Sequence, residues 1–171
     1  MNFDRMFFVT AVCWQRMPFF KDARKAELMM DVLEHYQQQG KYALHEFVIM
    51  PDHLHLLIEP AEDLSLERAV QLIKGGFSYR VGKLERKRGL VWQESFTNHR
   101  TRNEEDFEGH VTYIRMNPVR AGLVERAEDY PYSSAGLKRK NSECKDLERK
   151  SSEWKGATWK SGSLEPRQRV V

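Results

Sequence analysis

The segment from residue 42 to residue 59 reads YALHEFVIMPDHLHLLIE and predicts the arrangement around which the chain folds. Its two runs, 42–50 and 53–59, are rich in aromatic and aliphatic residues and are typical of strands. Pro51 and Asp52 separate the runs, and a connection of about two residues joins neighbouring strands in antiparallel order. We therefore expect an antiparallel hairpin in this part of the sequence.

Five further elements flank this hairpin. They are a strand over 6–14, a helix over 21–39, a helix over 65–86, a strand over 90–97 and a helix over 103–116. Gly40 marks the end of the first helix, and Ser65 is a suitable N-cap for the second. We expect the third helix to end at Met116, near Pro118, because a residue that precedes proline avoids the α region.

The predicted order of elements is strand, helix, strand, strand, helix, strand and helix. The first six match the split βαβ, or ferredoxin-like, arrangement. The expected fold class is therefore α+β, with an antiparallel sheet, two helices packed on one face and a C-terminal helix that carries Tyr113. The other face is left for a site or for the last helix. This domain should span residues 1–136.

Residues 137–171 form a basic, aperiodic segment. They hold ten lysines and arginines against five acidic residues, whereas residues 1–136 hold eighteen against twenty. A segment without apolar periodicity cannot bury a core, so we expect a tail that is mostly disordered or ordered by a partner. A basic tail on a nearly neutral domain suggests a polyanion partner, although a tail that only improves solubility has the same composition.

The composition also excludes several classes of protein. The mean hydropathy is -0.68, and no apolar run approaches the length of about 18 residues that a membrane span needs. The apolar stretch after Asp4 and Arg5 is too short and wrongly flanked for a secretory signal. Cys13 and Cys144 are too few for a zinc site or a disulfide framework. We expect two free thiols in a cytoplasmic protein.

Two histidines on the second strand of the hairpin form a candidate metal site. Residues i and i+2 of a strand point to the same face, so His53 and His55 should project together. Two neighbouring imidazoles suit a divalent metal ion. The same pattern also fits two polar residues on a solvated strand face.

The last predicted helix carries a polar stripe beside its apolar one. The polar stripe consists of His110, Tyr113, Asn117 and Arg120, and the apolar stripe consists of Phe107, Val111 and Ile114. Tyr113 and Asn117 are one turn apart and share a face. Aimed at a sheet that carries two histidines, they form a candidate site. Alternatively, Asn117 caps the helix and Tyr113 is a half-buried amphipathic residue.

Basic residues cluster on and after the second predicted helix. Residues 74–88 hold six lysines and arginines against one acid. The candidate DNA contacts are Lys74, Arg80, Lys83, Arg100 and Arg102, interleaved with Phe77, Tyr79, Trp92 and Phe96. Cations for phosphates and aromatic rings for stacking suit single-stranded or hairpin nucleic acid. A solvated helix face is the alternative.

Three stretches resemble a known family. The stretch FVIMPDHLHLLIEP at 47–60 resembles the signature of HUH nucleases, which is histidine, hydrophobic residue, histidine. The stretches YIRMNPVRAGLV at 113–124 and DYPYSSA at 129–135 resemble the second signature of single-tyrosine, IS200-like HUH transposases. The segment IKGGFSYRV at 73–81 also matches in character, except at its two glycines. The most similar branch is the REP-associated tyrosine transposases, and the resemblance covers about residues 5–136.

This resemblance implies a transposase-like, metal-dependent endonuclease and strand transferase. It would cleave single-stranded DNA next to REP-like hairpins through a covalent 5′-phosphotyrosine intermediate. Tyr113 would be the nucleophile, and His53, His55 and Asn117 would bind a divalent metal, Mg or Mn. Such a protein would act in the cytoplasm as a monomer or homodimer, without a membrane partner.

Two alternatives remain open at this point. The same fold could serve as a catalytically silent module that binds single-stranded DNA or an RNA hairpin, although the intact His53, His55, Tyr113 and Asn117 argue against it. A nucleotide hydrolase with three alternating histidines on a strand is the second alternative. Leu57 stands where its third histidine would be, so that motif is incomplete.

Overall fold

The computed structural model describes residues 3–86, 89–139 and 141. Its strands are β1 (Phe7–Val12), β2 (Tyr42–Met50), β3 (His53–Pro60) and β4 (Thr97–Arg100). Its helices are α1 (Ala23–Gln38), α2 (Leu66–Glu85) and α3 (Glu104–Arg120). Short 3-10 turns occur at Trp14–Arg16, Phe19–Lys21 and Ala127–Asp129. No helix in this described part is long and apolar enough to cross a bilayer.

The four strands form one antiparallel sheet in the order β2-β3-β1-β4. β2 and β3 are joined through Pro51 and Asp52, which confirms the predicted hairpin. The central strand β1 pairs with β3 on one side and with β4 on the other, so that Phe8 lies opposite both Leu57 and His99. The α+β fold class is confirmed.

Each face of the sheet carries its own apolar core. One core joins the sheet to α1 and α2 and includes Val9, Leu54, Leu56, Met29, Leu33, Ile73 and Phe77. The other joins the sheet to α3 and includes Met6, Phe8, Val48, Leu57, Val111 and Ile114. Because side chains alternate along a strand, Leu54 and Leu56 face α1 and α2, whereas His53 and His55 face α3. The sheet thus directs both histidines toward the helix that carries Tyr113.

The glycine pair of α2 marks the contact between the two helices on the first face. A Cβ at Gly76 would lie 2.8 Å from Cε2 of Tyr36 on α1, whereas a Cβ at Gly75 would meet nothing within 4 Å. The N-cap prediction is confirmed, because the Ser65 hydroxyl accepts a hydrogen bond from the backbone N–H of Arg68 at 3.2 Å.

The predicted strand over 90–97 is wrong, since β4 begins only at Thr97. Val91 and Trp92 in this stretch are buried for a different reason, whereas Leu90 is exposed. The Trp92 ring packs against Phe20 and Phe77 with centroids 5.8 and 5.6 Å away, and its Nε1 donates to the Lys74 carbonyl oxygen at 3.0 Å. The tryptophan therefore closes the end of the first core from a loop.

The predicted end of the last helix is also wrong, because α3 continues through Pro118 to Arg120. Pro118 is buried one turn after Ile114, so its ring extends the apolar stripe of the helix. The helix is stopped instead by Gly122, which follows the C-cap residue Ala121 and has a φ of +67°. There the N–H of Gly122 donates to Val119 at 2.9 Å and that of Leu123 donates to Pro118 at 2.9 Å, which forms a Schellman motif.

The chain returns to β2 after α3. The backbone N–H of Ile49 donates to the Tyr132 carbonyl at 2.9 Å, and the Tyr130 hydroxyl donates to the Ile49 carbonyl at 2.7 Å. Residues 134–139 are helical, and Leu137 packs against the first core. The compact unit reaches Lys138. Most of the predicted tail lies outside the described residues. This part consists of residue 140 and residues 142–171, and it includes Cys144.

Candidate active site

A pair of imidazoles lies on β3 at the face of the sheet that α3 covers. The ring centroids of His53 and His55 are 4.8 Å apart, with an interplanar angle of 76°. His53 Nδ1 donates to the Asp52 carboxylate at 2.6 Å, and His55 Nδ1 shares a hydrogen bond with Thr10 Oγ1 at 2.8 Å. These bonds fix both rings through Nδ1, so the Nε2 atoms can act as ligands. Metal-binding histidines are commonly held in this way by a carboxylate or another oxygen.

The electrostatic surroundings keep His55 neutral. Its burial, together with the nearby His53, lowers the pKa of the imidazole to about 3. Burial works against ionisation of Asp52, but the hydrogen bond and charge of His53, together with Arg16 at 3.1 Å, hold its pKa below the usual value. A neutral His55 imidazole is the form of this side chain that can bind a cation.

Tyr113 lies against this pair. Its ring centroid is 5.3 Å from that of His55 and 5.7 Å from that of Phe8, both edge-on. The residue is 40% exposed, so the site is open to a large substrate. Burial of Val111 and Ile114 on the neighbouring face of α3 fixes this orientation of the helix. The structure therefore brings together the tyrosine and both histidines that the sequence predicts.

Asn117 follows Tyr113 by one turn inside α3 and is half-buried. The interpretation of Asn117 as a helix cap is wrong, since the helix continues for a further turn and is capped at Ala121. Among residues 3–86, 89–139 and 141, no three His, Cys, Asp or Glu side chains are grouped in a way that could hold a metal ion. A metal held by His53 and His55 would therefore need a different third ligand, and an amide oxygen is suitable.

Phe8 forms the floor of the site and was not predicted. Its ring stacks on His110 at 4.8 Å, on His55 at 5.3 Å and on His99 at 6.3 Å between centroids. The position of His99 follows from the β4 register opposite Phe8, which the misplaced fourth strand concealed. His110 Nδ1 shares a hydrogen bond with Thr101 at 3.2 Å, and burial lowers its pKa.

A buried carboxylate on β2, also missed from the sequence, connects the sheet to α3. Glu46 is 2% exposed and accepts hydrogen bonds from Arg115 at 3.2 and 3.0 Å. It also accepts from the Ser134 hydroxyl, and Lys138 lies 3.3 Å away. Burial opposes its ionisation, but these partners together hold the pKa of Glu46 below its usual value. Arg115 is two residues beyond Tyr113, so this cluster helps to set the position of the tyrosine helix.

The structure does not bring the five predicted DNA contacts into one patch. Lys74, Arg80 and Lys83 are on α2, which covers the face opposite Tyr113. Lys74 Nζ donates to the backbone carbonyls of residues 93 and 94 at 2.7 and 3.1 Å, and burial lowers its pKa. The Lys83 ammonium lies 4.7 Å from the centre of the Tyr79 ring.

The other two predicted contacts flank the start of α3. Arg100 ends β4 and pairs with Asp4 at 3.3 Å. Arg102 is exposed immediately before the helix, and its backbone N–H donates to Asp106 at 3.1 Å. These two arginines are on or next to β4, which pairs with the strand that carries Phe8. They are therefore connected more directly to the site than the three basic residues of α2 are.

The family of IS200-like transposases matches residues 4–117 of the chain. A REP-associated tyrosine transposase of Escherichia coli is 31% identical over 94 residues, covering 54% of this chain and 54% of that protein. A Haemophilus influenzae protein that carries the same name provisionally is 34% identical over 96 residues. That match covers 50% of this chain and 54% of the Haemophilus protein. The chain thus spans about half the length of these curated relatives.

Among solved structures, the chain is similar to a REP-associated tyrosine transposase bound to a REP hairpin. The TM-score is 0.65 at 25% sequence identity, and the match covers 75% of each chain. A Deinococcus radiodurans protein that is provisionally described as a transposase has a similar fold, with a TM-score of 0.50 at 21% identity over 64% of this chain and 87% of that one.

Proposed function

Because the chain belongs to the family of IS200-like transposases, we propose that it is a tyrosine-dependent endonuclease and strand transferase. Its substrate would be single-stranded DNA next to a hairpin. The observation that carries this proposal is the exposed Tyr113 ring, which lies 5.3 Å from the buried His55 of an oriented histidine pair. The fold and the family support the same assignment.

The proposed reaction is a transesterification at a DNA phosphate. The Tyr113 oxygen attacks the phosphorus, the new O–P bond forms, and the bond from phosphorus to the 3′ oxygen breaks. One DNA end is then a 5′-phosphotyrosine and the other is a free 3′-OH, whose proton replaces the one that the phenol releases to solvent. Because the ester bond is exchanged rather than hydrolysed, the strand can be rejoined without ATP.

The residues present fit a divalent metal. His53 and His55 would bind it through Nε2, with Asn117 as a third ligand. Mixed nitrogen and oxygen ligation suits manganese, and magnesium is the abundant alternative. When bound, such an ion would neutralise charge on the attacked phosphate. The chain's own contribution is to hold both imidazoles by Asp52 and Thr10, at 2.6 and 2.8 Å.

The proposed hairpin substrate is supported by the similarity to a solved structure of a transposase bound to a REP hairpin. Arg100 and Arg102 would contact phosphates near the start of α3, while Arg80 and Lys83 would contact DNA that extends around the other face. Lys74 would then act through the loop that its ammonium holds. The basic segment beyond Lys138 would add charge that strengthens binding without selecting a sequence.

The test uses the full chain, manganese and a single-stranded oligonucleotide that folds into a hairpin with unpaired flanks. The wild type should form a covalent protein–DNA species that survives denaturing electrophoresis, and Tyr113→Phe should bind the same DNA without forming it. A wild type that binds the hairpin and never cleaves a flank would contradict the proposal and support the catalytically silent binding module.

A further inference from the structure

We propose that Arg120 is a catalytic residue that binds the phosphate attacked by Tyr113. The inference rests on the proposed function and assigns a further substrate contact within the same site. It starts from the position of a guanidinium on the last turn of α3, two turns after the tyrosine.

Arg120 lies over the face of the tyrosine. Its Cζ is 5.6 Å from the centroid of the Tyr113 ring, within the range in which a cation is attracted to an aromatic face. Tyr113 is 40% exposed and Arg120 is also exposed, so both groups can be reached from solvent. DNA that approaches the Tyr113 ring therefore comes close to a positive charge.

Among the residues that the structure describes, this guanidinium also differs from its neighbours in having no acidic partner. Arg115 is paired with Glu46 at 3.0 Å, and Arg126 is paired with Glu128 at 3.7 Å. Within the described ranges 3–86 and 89–139, no carboxylate lies within ion-pair distance of Arg120. A guanidinium that is exposed and not bound to a carboxylate can present two N–H groups to phosphate oxygens, a geometry that lysine cannot reproduce.

Such a contact would act on the step already described. The attacked phosphate gains negative charge as the Tyr113 oxygen approaches and before the 3′ oxygen leaves. A cation held beside the tyrosine would stabilise that charge without gaining or losing a proton. The bonds made and broken remain the tyrosine O–P bond and the phosphorus bond to the 3′ oxygen.

A purely structural role has a different signature. A cation in the last turn of a helix interacts favourably with the helix dipole. If Arg120 did only this, Arg120→Ala would lower the melting temperature, while the response of binding to a change at one DNA phosphate would stay the same. The test therefore measures a phosphate contact directly.

The first experiment measures binding in a Tyr113→Phe background, so that no DNA is cleaved. Each phosphate in the flanks of a hairpin oligonucleotide is replaced in turn by a neutral methylphosphonate. With Arg120 present, one replacement should weaken binding about tenfold. With Arg120→Ala, that replacement should have no effect, and with Arg120→Lys part of the effect should return. Arg126→Ala is the control and should keep the full pattern.

The second experiment measures the rate of adduct formation at saturating DNA. Arg120→Ala should reduce this rate by about 10² or more, as loss of one donor to a developing oxyanion does, while Arg126→Ala leaves it unchanged. If the methylphosphonate pattern is the same with and without Arg120, the inference is wrong. A wild type without any adduct contradicts the proposed function instead, and the methylphosphonate pattern then still decides whether Arg120 binds phosphate.

Discussion

Replacing Glu46 with glutamine removes the charge from a buried carboxylate that ties three segments together. Glu46 is on β2, Arg115 is on α3, and Ser134 and Lys138 belong to the residues that return to the sheet. Glutamine keeps the size of the side chain but can no longer accept charged hydrogen bonds at both terminal atoms. We expect Glu46→Gln to loosen the attachment of α3 to the sheet.

The size of the effect follows from the exposure of the partners. A hydrogen bond to a charged group contributes about 1.5–3 kcal/mol, roughly 1 kcal/mol more than a bond between neutral groups. Four such contacts set an upper limit of about 4 kcal/mol. The Arg115 and Lys138 side chains are 42% and 62% exposed and can be rehydrated, which reduces the loss. We expect destabilisation of about 2 kcal/mol, or a decrease in Tm of roughly 5–8 °C.

The pH dependence identifies the cause. The pKa of Glu46 is lower in the folded chain than in the unfolded one, where it is about 4.3. Its ionisation therefore stabilises the fold fully above pH of about 4.3, and this contribution disappears as the pH falls through the folded pKa. The difference between wild type and Glu46→Gln should accordingly be largest near pH 7 and should shrink below about pH 4.

The assay is thermal unfolding of both proteins between pH 3 and pH 8, followed by circular dichroism. Glu128→Gln serves as the control, because its pair with Arg126 is exposed on both sides and should contribute less than about 1 kcal/mol. A Glu46→Gln protein with the Tm of the wild type at pH 7 would refute the reasoning. So would a difference that persists unchanged at pH 3.

Two further predictions concern α2 and the histidine pair. Gly75→Ala should raise stability by about 0.5–1 kcal/mol, because its Cβ meets open space in a helix interior. Gly76→Ala should lower it, because its Cβ would lie 2.8 Å from the Tyr36 ring; equal shifts in denaturant midpoint would contradict this. His53→Ala and His55→Ala should each abolish manganese-dependent adduct formation while hairpin binding persists, and adduct formation by either variant in excess chelator would refute the metal site.

The fold could be predicted to the extent that local patterns decide it. The alternation of His53, Leu54 and His55 places the histidines on one face whatever the rest of the chain does. The polar stripe of α3 likewise predicted that Tyr113 would share a face with the candidate ligands. Both predictions needed only the period of a strand or a helix.

The errors occur where a distant contact outweighs a local preference. Trp92 is buried because it closes the end of a core that other segments build. Its burial does not require the residues around it to form a strand. Pro118 remains helical because its burial beside Ile114 continues the apolar stripe, while Gly122 provides the actual stop. In the sequence, Gly122 marks the end of this helix better than Pro118 does, because its positive φ suits a residue without a Cβ.

The site residues that the sequence did not predict are positioned by the pairing register of the strands, which cannot be deduced from the sequence alone. Thr10 meets His55 because β1 and β3 pair at that position, and His99 meets Phe8 because β4 begins at Thr97. Glu46 stands beside a β-bulge of β2, and its partners follow 69 to 92 residues later. Only the assembled sheet brings these groups together.

The central claim is that Tyr113 becomes covalently attached to DNA, and peptide mass spectrometry tests it most directly. After incubation with hairpin DNA and manganese, the adduct is digested with nuclease and trypsin. Tyr113 is the only tyrosine in the tryptic peptide over residues 103–115, and the exposed Tyr79 falls in the peptide over 75–80. The account predicts a 5′-linked nucleotide on the peptide 103–115 alone. A nucleotide on the peptide 75–80, or on any peptide while 103–115 stays unmodified, would contradict it.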